Sequence, residues 1–260
     1  MKISIVTISF NQKKYLQECI DSILSQECSD LEYIVVDPGS TDGSRELITS
    51  YGDRITRIFE PDTGPANGLN KGFSVAQGDI LGFVNSDDTL LPGALMAVEA
   101  AFADGAYDVI TGTGHWTDGH GRPTGRIIPS RFTPWLYAHG AVSLFQQGTF
   151  FRSSYYHKVG GFNEDNHTCW DGELFLDMAL VGARFKLIRS QIATFRIHDA
   201  SISGSGRLIA AYQRDSARLF AKVMARPPRL TDTVIARFAR LSKFASDPTY
   251  LFRKFSLGSK

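Results

Sequence analysis

The sequence predicts an α/β protein, with a mostly parallel sheet flanked by helices and a basic helical extension at the C terminus. Three observations predict it. From Ile3 to Phe102, short apolar runs alternate with amphipathic helical segments, the pattern of successive βαβ units. The runs are continuous, as expected of strands covered on both faces. Each is followed at once by residues such as Asp, Asn, Ser and Gly. Polar groups therefore gather at the carboxyl edge of the sheet, where open α/β sheets bind ligands.

The chain has 260 residues, 43% of them hydrophobic. That is enough for one large or two small domains with a sizeable core, and it argues against disorder. A formal net charge of +1 gives no general attraction for nucleic acid. Cys19, Cys28 and Cys169 are odd in number and lack metal-ligand spacing, which fits a reducing cytoplasm better than a disulfide framework. A strand pattern begins within Met1 to Val6, leaving no room for a signal peptide. No apolar run approaches the roughly 20 residues that span a bilayer. A cytoplasmic protein, soluble or peripheral on a membrane, is expected.

In chain order, residues 3–10 read as the first strand. Asn11 is placed to cap the following helix, in which Tyr15, Leu16, Cys19, Ile20, Ile23 and Leu24 recur at helical spacing. Residues 31–37 form the second strand, and the turn 39–44 opens another helix. The third strand covers 55–60. A polar loop, 62–68, leads to a helix over 69–76. The fourth strand, 80–84, runs into Asn85-Ser86-Asp87-Asp88 and then an alanine-rich helix ending at Phe102. Beyond it the pattern predicts a strand at 108–113, a hairpin turn at Asp118-Gly119 and a strand at Phe150-Phe151. A helix over 170–180 and a strand over 192–197 follow, the latter ending at His198. The small-residue loop 199–206 is the best candidate for a mobile lid.

Two adjacent carboxylates at a strand end require a cation or several hydrogen-bond donors. For Asp87 and Asp88 that cation can be a divalent metal carrying nucleotide phosphates; an acidic helix N-cap is the other reading. The same edge carries Thr7, Ser9, Phe10 and Asn11, then Asp37, Gly39 and Ser40, then Asp62. A carboxylate such as Asp37 can accept a hydrogen bond from a base or ribose, and small residues admit close backbone approach. Residues 39–44 also read as an ordinary strand-to-helix turn, Asp171 as a helix cap, and His198 as a structural histidine. His115, His120, His139, His157 and His167 show no ligand spacing.

Taken in order, the segments Ile3-Ser4-Ile5-Val6-Thr7, Asn11, Leu24-Ser25-Gln26, 32–37, 39–44 and Asn85-Ser86-Asp87-Asp88 resemble the family 2 glycosyltransferases of the GT-A fold. The likeness continues through Gln147-Gly148-Thr149-Phe150-Phe151, Val159-Gly160-Gly161-Phe162, 170–175 and Phe195-Arg196-Ile197-His198, covering about residues 1 to 205. The resemblance implies an inverting enzyme that moves a sugar from a nucleotide-diphosphate donor, UDP-linked by expectation, to a saccharide or lipid-linked saccharide hydroxyl. It implies a divalent metal, Mn²⁺ or Mg²⁺, and bacterial surface-polysaccharide synthesis. Residue by residue, Asp37 matches the base-contacting aspartate, and Thr7 and Phe10 match base-pocket positions. Asp62 and Lys71 lie where relatives reach the base and diphosphate. Asn85 to Asp88 match the DxD-type motif, Asp171 the catalytic base, and His198 a histidine that completes the metal site. Ser9, Asn11, Gly39, Ser40 and Ser86 fall in the same nucleotide-sugar-binding segments.

Three positions depart from the family pattern. Asn85 replaces the first aspartate, which places the metal mainly on Asp87 with Asp88 in support. Pro38 replaces a second acidic residue after Asp37. Trp170 stands where relatives carry Glu, which makes Glu173 a rival base. Lys71, Arg196 or Arg207 could add positive charge at the diphosphate. Two other readings are a nucleotide-sugar-binding protein whose catalysis has lapsed and a sugar nucleotidyltransferase. The second would want a glycine-rich loop with Arg and Lys after the first strand, and Ser9-Phe10-Asn11-Gln12 is not one.

Residues 1–205 are expected to form the catalytic domain, with 1–112 binding nucleotide and 113–205 binding acceptor. Residues 206–260 form a basic helical extension. From Arg207 onward twelve Lys and Arg face only Asp215, Asp232 and Asp247. Interleaved with apolar residues, this segment fits a helix on an anionic membrane surface. It fits equally a helical pair packed on the domain with an arginine-rich outer face.

Overall fold

The computed structural model describes residues 1–198 and 209–246, with 242–246 as backbone alone. The expected lid, Arg207 and the chain beyond 246 lie outside the described residues.

A mixed sheet forms the centre. Its strands are β1 (Ile3–Ile8), β2 (Leu31–Val36), β3 (Thr56–Ile58), β4 (Ile80–Phe83), β5 (Thr89–Leu90), β6 (Val109–Thr117), β7 (Pro123–Ile127), β8 (Thr149–Arg152) and β9 (Phe185–Arg196). The order is β3-β2-β1-β4-β8-β6-β9-β5, with β7 paired to β6. β3, β2, β1 and β4 are parallel, as expected. The other half of the sheet is mixed. β8 runs antiparallel to both β4 and β6, β7 to β6, and β5 to β9; only β6 and β9 pair in parallel there. Parallel pairing needs a long crossover, and the short turn at Asp118 between β6 and β7 makes the expected hairpin. In that turn Asp118 Oδ1 accepts from the His120 and Arg122 amides at 2.8 and 3.0 Å.

The helices are α1 (Lys13–Leu24), α2 (Ser44–Ser50), α3 (Pro65–Val75), α4 (Ala94–Phe102), α5 (Pro134–Ala138), α6 (Ser153–Val159), α7 (Trp170–Leu180), α8 (Ile209–Met224) and α9 (Leu230–Ser246). Side chains alternate across a strand, so each strand feeds two cores. Ile3 and Ile5 of β1 join Leu16, Ile20 and Ile23 of α1 and Leu95 and Val98 of α4. Val6 joins Leu69 and Phe73 of α3 and Leu174 and Phe175 of α7 on the other face. α3 lies close on β1 because position 72 is glycine; a Cβ there would come 2.4 Å from Val6 Cγ1. α3 begins at Pro65, earlier than its apolar spacing suggests, because proline is pre-set for the first helical position. α8 packs Leu219 and Phe220 into the protein. Among the described residues, no helix is long and apolar enough to cross a membrane.

Candidate active site

The loops after β1 and β2 are laced together at the carboxyl edge. Asn11 does not cap α1, as had been expected. It adopts a left-handed φ of 53°, its N–H donates to Ser40 Oγ, and its Oδ1 accepts from Thr41 N at 2.9 Å. Asp37 is wholly buried. Its Oδ1 accepts from Gly39 N, Ser40 N and Arg45 Nε, and its Oδ2 from Ser40 Oγ at 2.6 Å. Gly39 and Ser40 thus serve the loop through Asp37. Thr7, expected on a pocket wall, is wholly buried in the core, where its hydroxyl accepts from Tyr33 at 3.0 Å. Ser9 is buried with no hydrogen-bond partner for its Oγ among the described residues, and Phe10 stands exposed beside it.

Asp62 accepts from Gly64 N at 3.0 Å. Burial pushes its carboxyl up, aided by nearby Asp37 and opposed by the Gly64 amide and Lys71. Lys71 Nζ donates to the Pro61 carbonyl and pairs with Glu60 at 3.4 Å. The Lys71 cation therefore sits among groups from the end of β3.

Beyond β4 the four residues 85–88 divide by burial. Asn85 and Asp87 are half-buried, while Ser86 and Asp88 are buried. Asp88, expected to support a metal, is turned into the protein. Its Oδ1 accepts from Arg196 N at 2.8 Å, and its Oδ2 from Gln147 Nε2 at 2.8 Å and Asn85 Nδ2 at 3.3 Å. Burial and the adjacent Asp87 charge push this carboxyl up, against those three donors. Asp87 points the other way, with Oδ2 3.0 Å from His198 Nε2. The His198 ring packs on Tyr15 of α1 at 4.8 Å between centroids. Arg196 is not available to a diphosphate as expected. It is buried, donating through Nε to the Asp87 carbonyl and through Nη2 to Glu18 at 2.6 Å, with its guanidinium over Tyr15.

Asp171 opens α7. Burial raises its carboxyl above the usual range, and the Gly172 N–H at 2.7 Å draws it back in part. Trp170 ties this helix start to the end of β4, its ring 5.6 Å from Phe83 and 5.4 Å from Phe162. Glu173 is not positioned as a rival base. It is buried in a two-pronged ion pair with Arg218 of α8, both bonds 2.6 Å, and also accepts from Asn163 and Asn166. Tyr137 of α5 packs against Gly172, where a Cβ would lie 2.1 Å from its hydroxyl. Behind Tyr137, a cavity of about 520 Å³ opens between α5, α8 and α9, walled by Tyr137, His139, Tyr212 and Phe220. Sequence reasoning gave Gln147 and Arg45 no role: Gln147 reaches buried Asp88 from 59 residues away, and Arg45 turns back from the first turn of α2 onto buried Asp37.

Parallel strands that deliver an acidic turn to one edge, a second half built around an antiparallel strand, and helices on both faces define a GT-A type glycosyltransferase fold. The chain belongs to glycosyl transferase family 2, whose profile matches residues 4–164. It is 29% identical over 215 residues to an uncharacterized glycosyltransferase of Nostoc sp., covering 77% of this chain and 66% of that protein. It is 30% identical over 190 residues to the chondroitin synthase of Pasteurella multocida, covering 71% of this chain but 19% of the synthase. Among solved structures it superposes on S. aureus TarS in complex with UDP-GlcNAc. There the TM-score is 0.72 at 18% identity, over 100% of this chain and 76% of that one. The mannosyltransferase PcManGT from Pyrobaculum calidifontis, in complex with GDP-Man and Mn²⁺, matches with a TM-score of 0.65 at 16% identity. That match covers 96% of this chain and 75% of PcManGT.

Proposed function

We propose that the protein transfers a sugar, with inversion, from a nucleotide-diphosphate donor to a saccharide or lipid-linked saccharide hydroxyl in polysaccharide synthesis. The observation that carries the reading is Asp87 and His198, 3.0 Å apart at the end of β4, held from behind by Asp88 and Arg196. A carboxylate oxygen and an imidazole nitrogen side by side suit a divalent cation. Among the described residues no cluster of three His, Cys, Asp or Glu could hold one alone, so diphosphate oxygens and water would complete the shell. Bound there, such an ion would offset charge growing on the departing diphosphate.

The chain's own groups do the rest. Asp37, Gly39, Ser40 and the unpartnered Ser9 hydroxyl lie in the loops that would cradle the nucleoside, with exposed Phe10 as a surface for the base. Asn11 holds these loops together. Asp171 acts as general base. The acceptor oxygen bonds to the anomeric carbon as the bond to the β-phosphate oxygen breaks, the hydroxyl proton passes to Asp171, and nucleoside diphosphate leaves. A single base, with Glu173 tied up in its ion pair, favours one displacement and hence inversion. The aromatic-walled cavity beside Tyr137 has room for acceptor sugar units, whose C–H faces stack on such rings.

UDP-GlcNAc and GDP-Man, bound by the two solved relatives, define the first donors to test. Thermal unfolding with UDP, GDP and their sugars, with and without Mn²⁺, should reveal stabilisation by one nucleoside diphosphate that depends on the metal. A few kcal/mol is expected at saturation. No stabilisation by any of them would remove the donor reading.

A further inference from the structure

The two C-terminal helices differ in what they expose. α8 is fastened to the domain. Arg218 holds Glu173, Lys222 pairs with Asp177 at 2.5 Å, and Thr168 donates to Asp215 at 2.6 Å. α9 has an inner face as well, where Asp232 and Ala239 are buried with Ile235 and Ala236 partly covered. Its outer face is also apolar. Leu230, Val234, Phe238 and Leu241 are 93%, 54%, 68% and 58% exposed. At spacings of four, four and three residues they form one stripe along the helix. Such a stripe on a surface helix needs a partner.

The charge of this C-terminal region indicates which partner. Asp232 is neutralised by Arg226 through two bonds of 2.7 Å. From Arg229 to the C terminus the sequence then carries Arg229, Arg237, Arg240, Lys243, Arg253, Lys254 and Lys260 against Asp247 alone. Arg237 lies on the outer face of α9 and is exposed with the stripe. Apolar side chains bordered by cations match the layering of an anionic bilayer, acyl chains beneath phosphates. We infer that α9 is a membrane-docking helix that lies in the plane of an anionic lipid surface through Leu230, Val234, Phe238 and Leu241, with α8 as the strut that fixes the catalytic domain above it. This inference goes beyond the sugar-transfer reading and does not depend on it.

The test is flotation of the full chain with vesicles of 70:30 phosphatidylcholine:phosphatidylglycerol and with pure phosphatidylcholine. Binding is expected to the anionic vesicles only, weakened about tenfold or more by raising the salt from 0.1 to 0.5 M. The double substitution Phe238→Asp and Leu241→Asp should abolish it, and Arg237→Gln should weaken it several-fold. Circular dichroism and unfolding temperature verify that each variant folds. Should the double variant fail to fold, Leu230→Ser, at the most exposed position, takes its place. No binding to anionic vesicles, or equal binding by the stripe variants, overturns the inference. So does a dimer in light scattering that the same substitutions dissociate, since the stripe would then be a self-association surface.

Discussion

The ion pair between Glu173 and Arg218 allows a sharp test of how the C-terminal helix is held. Glu173 is buried in the first turn of α7 and accepts two bonds of 2.6 Å from Arg218 and one of 2.7 Å from Asn166. Breaking a buried pair costs roughly 3–5 kcal/mol and an exposed one roughly 0–1. The Arg218 side chain is 43% exposed, and the two asparagines remain for Glu173, so Arg218→Ala should cost about 2 kcal/mol. For a chain of this size that lowers the unfolding temperature by about 5 °C. The dependence on pH has a definite sign. Burial raises the Glu173 carboxyl, but Arg218, Asn166 and Asn163 together hold it below its ordinary value of 4.5. A carboxylate depressed in the folded state contributes stability above its unfolded pKa and loses it as pH falls through the folded one. Scanning calorimetry of the wild type and Arg218→Ala should therefore show the full gap at neutral pH and a shrinking gap below about pH 4. A gap unchanged between pH 7 and that acid range would refute the assignment, as would a drop within about 1 °C at neutral pH.

Four further outcomes follow from the site. Asp171→Asn should lower turnover by roughly 10²–10⁴ while donor affinity measured by calorimetry stays unchanged; full activity would remove Asp171 from the chemistry. Because burial raises the Asp171 carboxyl above 3.8, and a base works only when ionised, kcat/KM should fall on an acid limb above that value. A pH–rate profile flat down to 3.8 would contradict it. His198→Ala should weaken Mn²⁺-dependent nucleotide binding by about 10–100-fold, with little change in binding measured in EDTA. Gln147→Ala strips one donor from buried Asp88 and should cost about 1–3 kcal/mol in urea unfolding, whereas Gln147→Glu should cost more through charge repulsion.

The parts of the fold legible in the sequence are those whose signal is local. β1, β2 and β4 are continuous apolar runs, and α7 spans the residues that its pattern predicts because both its ends carry local cues. β9 begins at Phe185 rather than 192 because its first half alternates partly buried with exposed polar residues such as Arg189 and Gln191. That half offers no continuous apolar run. α5 and α6 are too short to establish a helical period. β8 reads correctly as a strand, but its direction is set by its neighbours, which no local pattern encodes. The site divides in the same manner. The acidic turn stands out in the sequence, whereas the donors that bury Asp88 come from Gln147 and Arg196, 59 and 108 residues away.

That separation bears on how the two adjacent carboxylates are compensated. Two neighbouring charges must both be compensated, by a cation or by several hydrogen-bond donors. The backbone leaving β4 carries one of them to its donors. It turns at 85–88, with Asp88 N donating to Asn85 O at 3.0 Å, and sends successive side chains to opposite sides. Asp88 goes inward and is compensated by three N–H donors. Arg196 supplies one of them from its main chain and uses its guanidinium on the Asp87 carbonyl. The buried carboxylate thus acts as a brace between β4, β9 and the Gln147 turn. The brace fixes the backbone of Asp87, leaving that side chain beside His198 as the half of the pair that can meet a ligand. Asn85 fits the same division of labour. Its amide spends a donor on Asp88, which an aspartate could not do without setting a third carboxylate against the other two.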